Sequence, residues 1–194
     1  MKEKVEINKQ ARLSEHLTSS SVATLGHSCV PAVASDQRSS ANELDGSRLS
    51  PHFTLGEMCK TSAKTQDGNI PSHVHIGNLK RLCRWLEMLR SEWNKRYGEG
   101  DDPIIINSGY RSEAVNKAVG GVKGSNHLTG CAVDIRVTGI EQLIRYATIL
   151  LDISDESQDD FDELLLERSP KGTYWLHFAV RPSGNRRKIR LIQT

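Results

Sequence analysis

The chain has 194 residues, of which 37% are hydrophobic and 5% aromatic, with a formal net charge of +2. That length suits one domain of about 100–150 residues with chain to spare. No apolar run approaches the roughly 18–20 residues of a membrane span, four cysteines are too few for a disulfide scaffold, and so mild a charge does not by itself imply nucleic acid.

Residues 1–50 contain no Trp, Tyr or Phe and are rich in serine, with Ser19, Ser20 and Ser21 in a row and Ser39 and Ser40 further on. Such a segment buries too little apolar surface to offset its ordering entropy. It is expected to be a disordered tail, with a transient helix near Val5 to Leu17. Lys2 and Lys4 are not followed by the apolar run of about 7–15 residues that a secretory signal needs. Residues 51–194 are expected to form one domain.

Along that domain, Leu79, Leu82, Cys83, Leu86, Leu89, Trp93 and Tyr97 recur at helical spacing and predict a helix over Pro71 to Tyr97. Pro103 to Asn107 reads as a strand. Ser112 caps a short helix over Glu113 to Ala118. Gly120, Gly121 and Gly124 form a glycine-rich loop without the spacing of a phosphate cradle. Cys131 to Val137 alternates with period two, so that Cys131, Val133, Ile135 and Val137 share the apolar face and Ala132, Asp134 and Arg136 the other. An amphipathic helix follows over Gly139 to Leu151, then an acidic loop over Ser154 to Asp160. Phe161 to Glu167 and Tyr174 to Val180 read as strands joined by a turn, and Ile189 to Gln193 as a last strand. Helices and antiparallel strands segregated in this way argue for an α+β fold.

His127 precedes the Asp134 strand, and His177 points away from the core side of a later strand. Two imidazoles and a carboxylate make a three-ligand set for Zn²⁺ with a fourth position open to water, whose pKa the ion would lower to about 7. Spacing alone is a weak signal in a chain with seven histidines.

The neighbouring residues carry more. Ser125-Asn126-His127-Leu128-Thr129-Gly130-Cys131-Ala132-Val133-Asp134 has the form SxHxxGxAxD. Ser108 to Ser112 reads SGYRS, Trp175-Leu176-His177 reads WxH, and Phe53 to Glu57 reads FxLxE. In this order the motifs resemble the zinc D-Ala-D-Ala metallopeptidases, the peptidase M15 group of carboxypeptidases, dipeptidases and phage endolysins. The resemblance covers about residues 53–190. It implies a small antiparallel sheet with helices packed on one side, as in Hedgehog and DD-peptidase domains. It implies His127, Asp134 and His177 as zinc ligands, Arg111 as a catalytic and substrate-binding group, and Ser125 and Tyr110 as substrate contacts. Gly109 and Gly130 are expected to permit tight backbone paths. The implied activity is hydrolysis of bonds next to D-amino acids in peptidoglycan stem peptides, by a D,D-carboxypeptidase or an endolysin-type endopeptidase.

One position departs from the pattern. Many members carry an acid three residues before the last histidine, where this chain has Tyr174. Glu167 is the expected general base, with Glu163 as the fallback. A two-residue turn at Pro170-Lys171 would set Glu167 opposite Tyr174, on the wrong face from His177; a longer loop or a bulge would correct this. The Tyr174 departure also motivates an alternative, a non-catalytic wall-binding or virion module that keeps the fold and the metal.

Cys29, Cys59, Cys83 and Cys131 form no CxxC pair and read as buried hydrophobes or free thiols in a reducing compartment. Cys131 could compete for zinc, but by parity it faces the core. Arg181, Arg186, Arg187, Lys188 and Arg190 read as a solvated edge that discourages strand pairing. Without aromatic interleaving they do not suggest nucleic acid. The expected protein is a monomer, not inserted in a membrane, made in the cytoplasm and acting on the wall, in the manner of a phage protein.

Overall fold

Thr54 and Ser72 mark where the domain turns helical. Thr54 accepts from Glu57 N and opens α1 (Leu55–Met58), which buries Leu55 and Met58. Ser72 and His75 form a reciprocal capping box at the start of α2 (His73–Arg96). The apolar stripe of α2 is the expected one with Trp85 added, whereas Tyr97 is largely exposed. A computed structural model describes residues 47–193. The expected tail, its transient helix and Cys29 lie outside those residues. Residues 47–50 already belong to the fold: Arg48 bridges Thr54, and Leu55 N donates to Ser47 O at 2.8 Å.

Next come β1 (Ile106–Ser108), α3 (Glu113–Ala118, capped by Ser112 as expected), a 3₁₀ turn (Asn126–Thr129) and β2 (Ala132–Arg136). They are followed by α4 (Ile140–Ser157), β3 (Glu163–Arg168), β4 (Tyr174–Ala179) and β5 (Lys188–Gln193). The 3₁₀ turn was not legible as a helix. Ser125 caps it, and Gly130 closes it in the left-handed region at φ 70°. A Cβ on Gly130 would lie 2.7 Å from the His75 carbonyl, so both conformation and space require glycine there.

Helix α4 runs six residues beyond the predicted end at Leu151, into the acidic stretch. Ile149 and Ile153 extend its buried stripe. Two of its carboxylates pair with arginines from elsewhere, Asp152 with Arg96 at 2.5 Å and Asp155 with Arg187. The sequence window showed the charges but not their partners.

The sheet order is β1-β2-β4-β3-β5. The class is α+β, as expected, but the sheet is mixed: β5 runs parallel to β3, while every other pair is antiparallel. The reason is topological. β2 occupies the far edge of β4, so the chain leaving β4 must pass round the start of β3 to reach a free edge. Arg187 N and Lys188 N donate to Phe161 O and Asp162 O at 2.8 and 3.0 Å during that passage, and a strand that starts there runs in the direction of β3.

Helices α2 and α4 cover one face of the sheet, burying Val133, Ile135, Leu164, Leu176 and Phe178. Trp85 packs between Phe161 and Phe178, with ring centroids at 6.5 and 5.4 Å. Strand alternation then sends Asp134, His177 and Glu167 to the other face, which opens as a cleft.

Candidate metal centre

Asp134 on β2 lies directly opposite His177 on β4. The 3₁₀ turn brings His127 against both. His127 Nε2 is 3.2 Å from Asp134 Oδ1 and 3.3 Å from His177 Nδ1, and His177 Nδ1 is 2.9 Å from the same Oδ1. With metal–ligand distances of about 2.0–2.1 Å, the edge of a tetrahedron measures about 3.3–3.4 Å. The three donor atoms therefore approximate one face of such a tetrahedron and fit a small divalent cation. Among the described residues this is the cluster of metal-ligating side chains that converges in this way.

The surroundings fix how the ligands present themselves. His127 Nδ1 lies 2.6 Å from the Gly109 carbonyl. A carbonyl only accepts, so Nδ1 carries the proton and Nε2 turns its lone pair to the cluster. Gly109 itself is pressed against the Met58 carbonyl, where a side chain would collide. Arg111 donates through Nη2 to Asp134 Oδ2 and through Nε to Ser108 Oγ at 2.8 Å. One Asp134 oxygen thus faces the histidines and the other faces Arg111.

Burial alone would push the Asp134 carboxyl up. The two imidazoles beside it, His127 and His177, outweigh it and hold the group well below the usual carboxylate range. Burial likewise opposes a charge on His177, but its contacts to Asp134 and Glu163 prevail and raise it to about 9. Asp134 Oδ1, 2.9 Å away, thus favours a proton or a cation at His177 Nδ1.

Glu167 pairs with Trp175, and Leu165 with His177. Arg168 pairs with Tyr174, so the loop is 169–173, one residue out of phase with a two-residue turn at Pro170-Lys171. That phase sets Glu167 on the His177 face, lining the cleft with Arg111, His127 and Trp175. Burial raises its carboxyl above the usual value, partly offset by the charge of His177. Glu163 is on the same face but is occupied. It accepts from Asn126, Arg186 and Lys188 at 3.1, 3.0 and 2.8 Å and lies 3.5 Å from His177 Nε2. His177 first, then Lys188, hold it down to about 2 against the effect of burial.

Ser125 lines the cleft, and its hydroxyl accepts from His127 N at 3.3 Å. Tyr110 is not brought to the cleft: it is buried, with its ring 5.0 Å from that of His75. Cys131 is buried and away from the ligands, its Sγ 3.8 Å from the Thr129 carbonyl. The basic C-terminal residues are not simply solvated. Arg181 and Arg186 bind the fully buried Asp162, and Arg187 and Lys188 pair with Asp155, Asp160 and Glu163. Sequence reasoning missed Asp162, Asn126 and Trp175. Only the FDE run at the head of β3 could have signalled Asp162, since a carboxylate there must find cations once the strand is buried.

The fold and these groups define an α+β domain with a His-Asp-His cluster, a candidate ligand set, on the open face of its sheet. The sequence pattern of the Peptidase M15 family matches residues 51–151, more than half of the chain, and the chain belongs to that family. His177 and Glu167 lie beyond the matched stretch, and their place in the site rests on strand register. The chain is also similar to the zinc D-Ala-D-Ala carboxypeptidase of Streptomyces albus G, with 29% identity over 84 residues, 43% of this chain. That stretch is 31% of the relative, so the chain matches about a third of its length. No helix among the described residues is long and apolar enough to cross a membrane.

Proposed function

We propose that this chain is a zinc-dependent peptidase that cleaves bonds next to D-amino acids in peptidoglycan stem peptides, as a D,D-carboxypeptidase or an endolysin-type endopeptidase acting on the cell wall as a monomer. The observation that carries the reading is the convergence of His127 Nε2, Asp134 Oδ1 and His177 Nδ1 within 2.9–3.3 Å of one another. The name of the Streptomyces relative supplies the metal and the substrate class.

His127, Asp134 and His177 would hold the ion, which when bound supplies Lewis acidity to water and to the scissile carbonyl. Glu167 takes the proton of the attacking water and returns it to the leaving amine. Its burial supports this role, because a raised carboxyl is a better proton acceptor near neutrality. Arg111 keeps Asp134 in place through Nη2 and offers Nη1 to a substrate carboxylate or carbonyl. Ser125 and Trp175 line the path of the peptide. Tyr174 at the usual acid position favours the binding-module alternative; Glu167 on the same face as His177 supports the enzyme reading.

Purified full-length chain is expected to bind one zinc ion and to release D-amino acids or cleaved stems from muropeptides, read by mass spectrometry. Chelation should abolish the release and zinc should restore it. Zinc binding without any cleavage would favour the binding module.

A further inference from the structure

His177 presents two nitrogens to two different carboxylates. Nδ1 faces Asp134 Oδ1 at 2.9 Å, on the side of the ligand cluster. Among the described residues, Nε2 is one of three buried side-chain atoms without a hydrogen-bond partner, and the carboxylate it faces is Glu163, at 3.5 Å. A neutral imidazole has one ring proton. If Nδ1 ligates a cation, that proton sits on Nε2 and needs a buried acceptor. Glu163 Oε2 is in position for it.

The far side of Glu163 is braced. Lys188 Nζ and Arg186 Nη2 donate to Oε1 at 2.8 and 3.0 Å, and Asn126 Nδ2 donates to Oε2 at 3.1 Å. Asn126 and Arg186 also bond Asp162 Oδ2, at 2.8 and 2.7 Å. Asp162 is fully buried and further bound by Arg181 at 2.7 Å. Asn126 immediately precedes His127, so one backbone segment is tied both to a candidate ligand and to the carboxylate behind the other histidine. The network joins β3, the crossover to β5 and the 3₁₀ turn, and it converges on one ring.

We propose that Glu163 is a positioning residue that holds the His177 ring in the orientation and tautomer that turn Nδ1 to the metal, with Asp162, Asn126 and Arg186 fixing Glu163 in turn. The inference rests on the zinc reading of the His127, Asp134 and His177 set. It argues against Glu163 as the general base: both carboxylates line the cleft, but the oxygens of Glu163 are already directed at Lys188, Arg186, Asn126 and His177, whereas Glu167 lies beside Trp175.

The test uses the full-length chain and Glu163→Ala, Glu163→Gln and Glu167→Gln. Zinc affinity is measured by competition with a chromophoric chelator, ligand geometry by the visible spectrum of the cobalt form, and the His177 tautomer by long-range ¹H–¹⁵N correlation of the rings. Glu163→Ala is expected to weaken zinc binding by about 10–100-fold and to alter the cobalt spectrum. Glu163→Gln keeps an oxygen that can accept from Nε2–H, and it should lose roughly tenfold or less. Glu167→Gln should keep zinc affinity within about threefold of the parent, because it lies outside the network. Should Glu163→Ala fail to fold by circular dichroism, the isosteric Gln variant and the His177 tautomer decide. Parent-like affinity and spectra in Glu163→Ala, or a zinc-bound parent whose His177 ring proton is on Nδ1 and not on Nε2, would overturn the inference and leave the zinc reading standing. A parent chain that takes up no zinc overturns both.

Discussion

Glu167 lies directly opposite Trp175 in the β3–β4 ladder, one diagonal step from His177 and on the same face of the sheet. Adjacent positions across a ladder hold Cβ atoms about 4.5–5.5 Å apart, and diagonal ones about 7–8 Å. That separation leaves room for a water between the carboxylate and the His177 side of the ligand cluster. Glu167→Gln is therefore expected to lower kcat by about 10²–10⁴-fold while zinc content stays stoichiometric. The base must be ionised to act, and burial raises its carboxyl above the ordinary 4.5. Activity in the parent should therefore fall with decreasing pH along a limb displaced above that value. A kcat/KM profile of the parent checks the limb, and a Gln variant that retains activity within tenfold would exclude Glu167.

Arg111 engages Asp134 and Ser108 with two different nitrogens. Lysine keeps the charge but not the fork, so it cannot hold both partners and reach a ligand as well. Arg111→Lys is expected to raise KM and lower kcat together, with kcat/KM down by about 10²-fold, because the remaining ammonium serves Asp134 or the substrate but not both. Steady-state kinetics on a stem-peptide substrate gives the split. A change in kcat alone would mean that Arg111 acts only through Asp134.

Much of this site was legible because strand parity is a local property. The alternation from Cys131 to Val137 already put Asp134 opposite the apolar face, and the same alternation put His177 away from Leu176 and Phe178. The side of Glu167 was not legible, since it depends on the phase of a loop containing proline and glycine, where a change of one residue reverses every side chain. The parallel β5 and the length of α4 were hidden for a related reason. The direction of β5 follows from the sheet edge that β2 leaves free, and the end of α4 from the burial of Ile153 and the pairing of Arg96 and Arg187 with Asp152 and Asp155, all of them partners distant in sequence. A run of charges looks solvated until its partners are known.

Asn69 shows how a residue outside every motif supports the site. It is buried, with φ 53°, and its Nδ2 donates to the Cys59 and Tyr110 carbonyls at 2.7 and 3.1 Å, while its Oδ1 accepts from Ser112 N at 2.7 Å. Tyr110 and Ser112 flank Arg111, so this one amide clamps the arginine's backbone from both sides. Asn69→Ala loses three hydrogen bonds, two of them buried, and places alanine in the left-handed region, which should cost about 2–4 kcal/mol. Asn69→Gly relieves the backbone strain only and should recover about 1 kcal/mol of that. Urea unfolding of the two variants against the parent measures both terms, and equal stabilities for Ala and Gly would show that the conformation carries no strain.

Asp162 makes a prediction that is independent of any metal. It is fully buried and accepts from Arg181, Arg186 and Asn126. Burial pushes its carboxyl up, but the two guanidinium groups and Asn126 hold it far below the ordinary 3.8. The group is thus a stronger acid in the folded state than in the unfolded chain. Its stabilisation is present in full above the unfolded value, near 4, and is lost as pH falls towards the depressed one. Asp162→Asn should cost about 3 kcal/mol at pH 7, the lower end for a broken buried ion pair, because Arg181 and Arg186 both reach solvent and can rehydrate. The gap between parent and variant should be constant from pH 7 to about 5 and close steadily below about 4. Urea unfolding of both proteins in chelator, across that range, reads the gap directly. A difference that persists undiminished at pH 3 would mean that Asp162 contributes through shape and not through its charge.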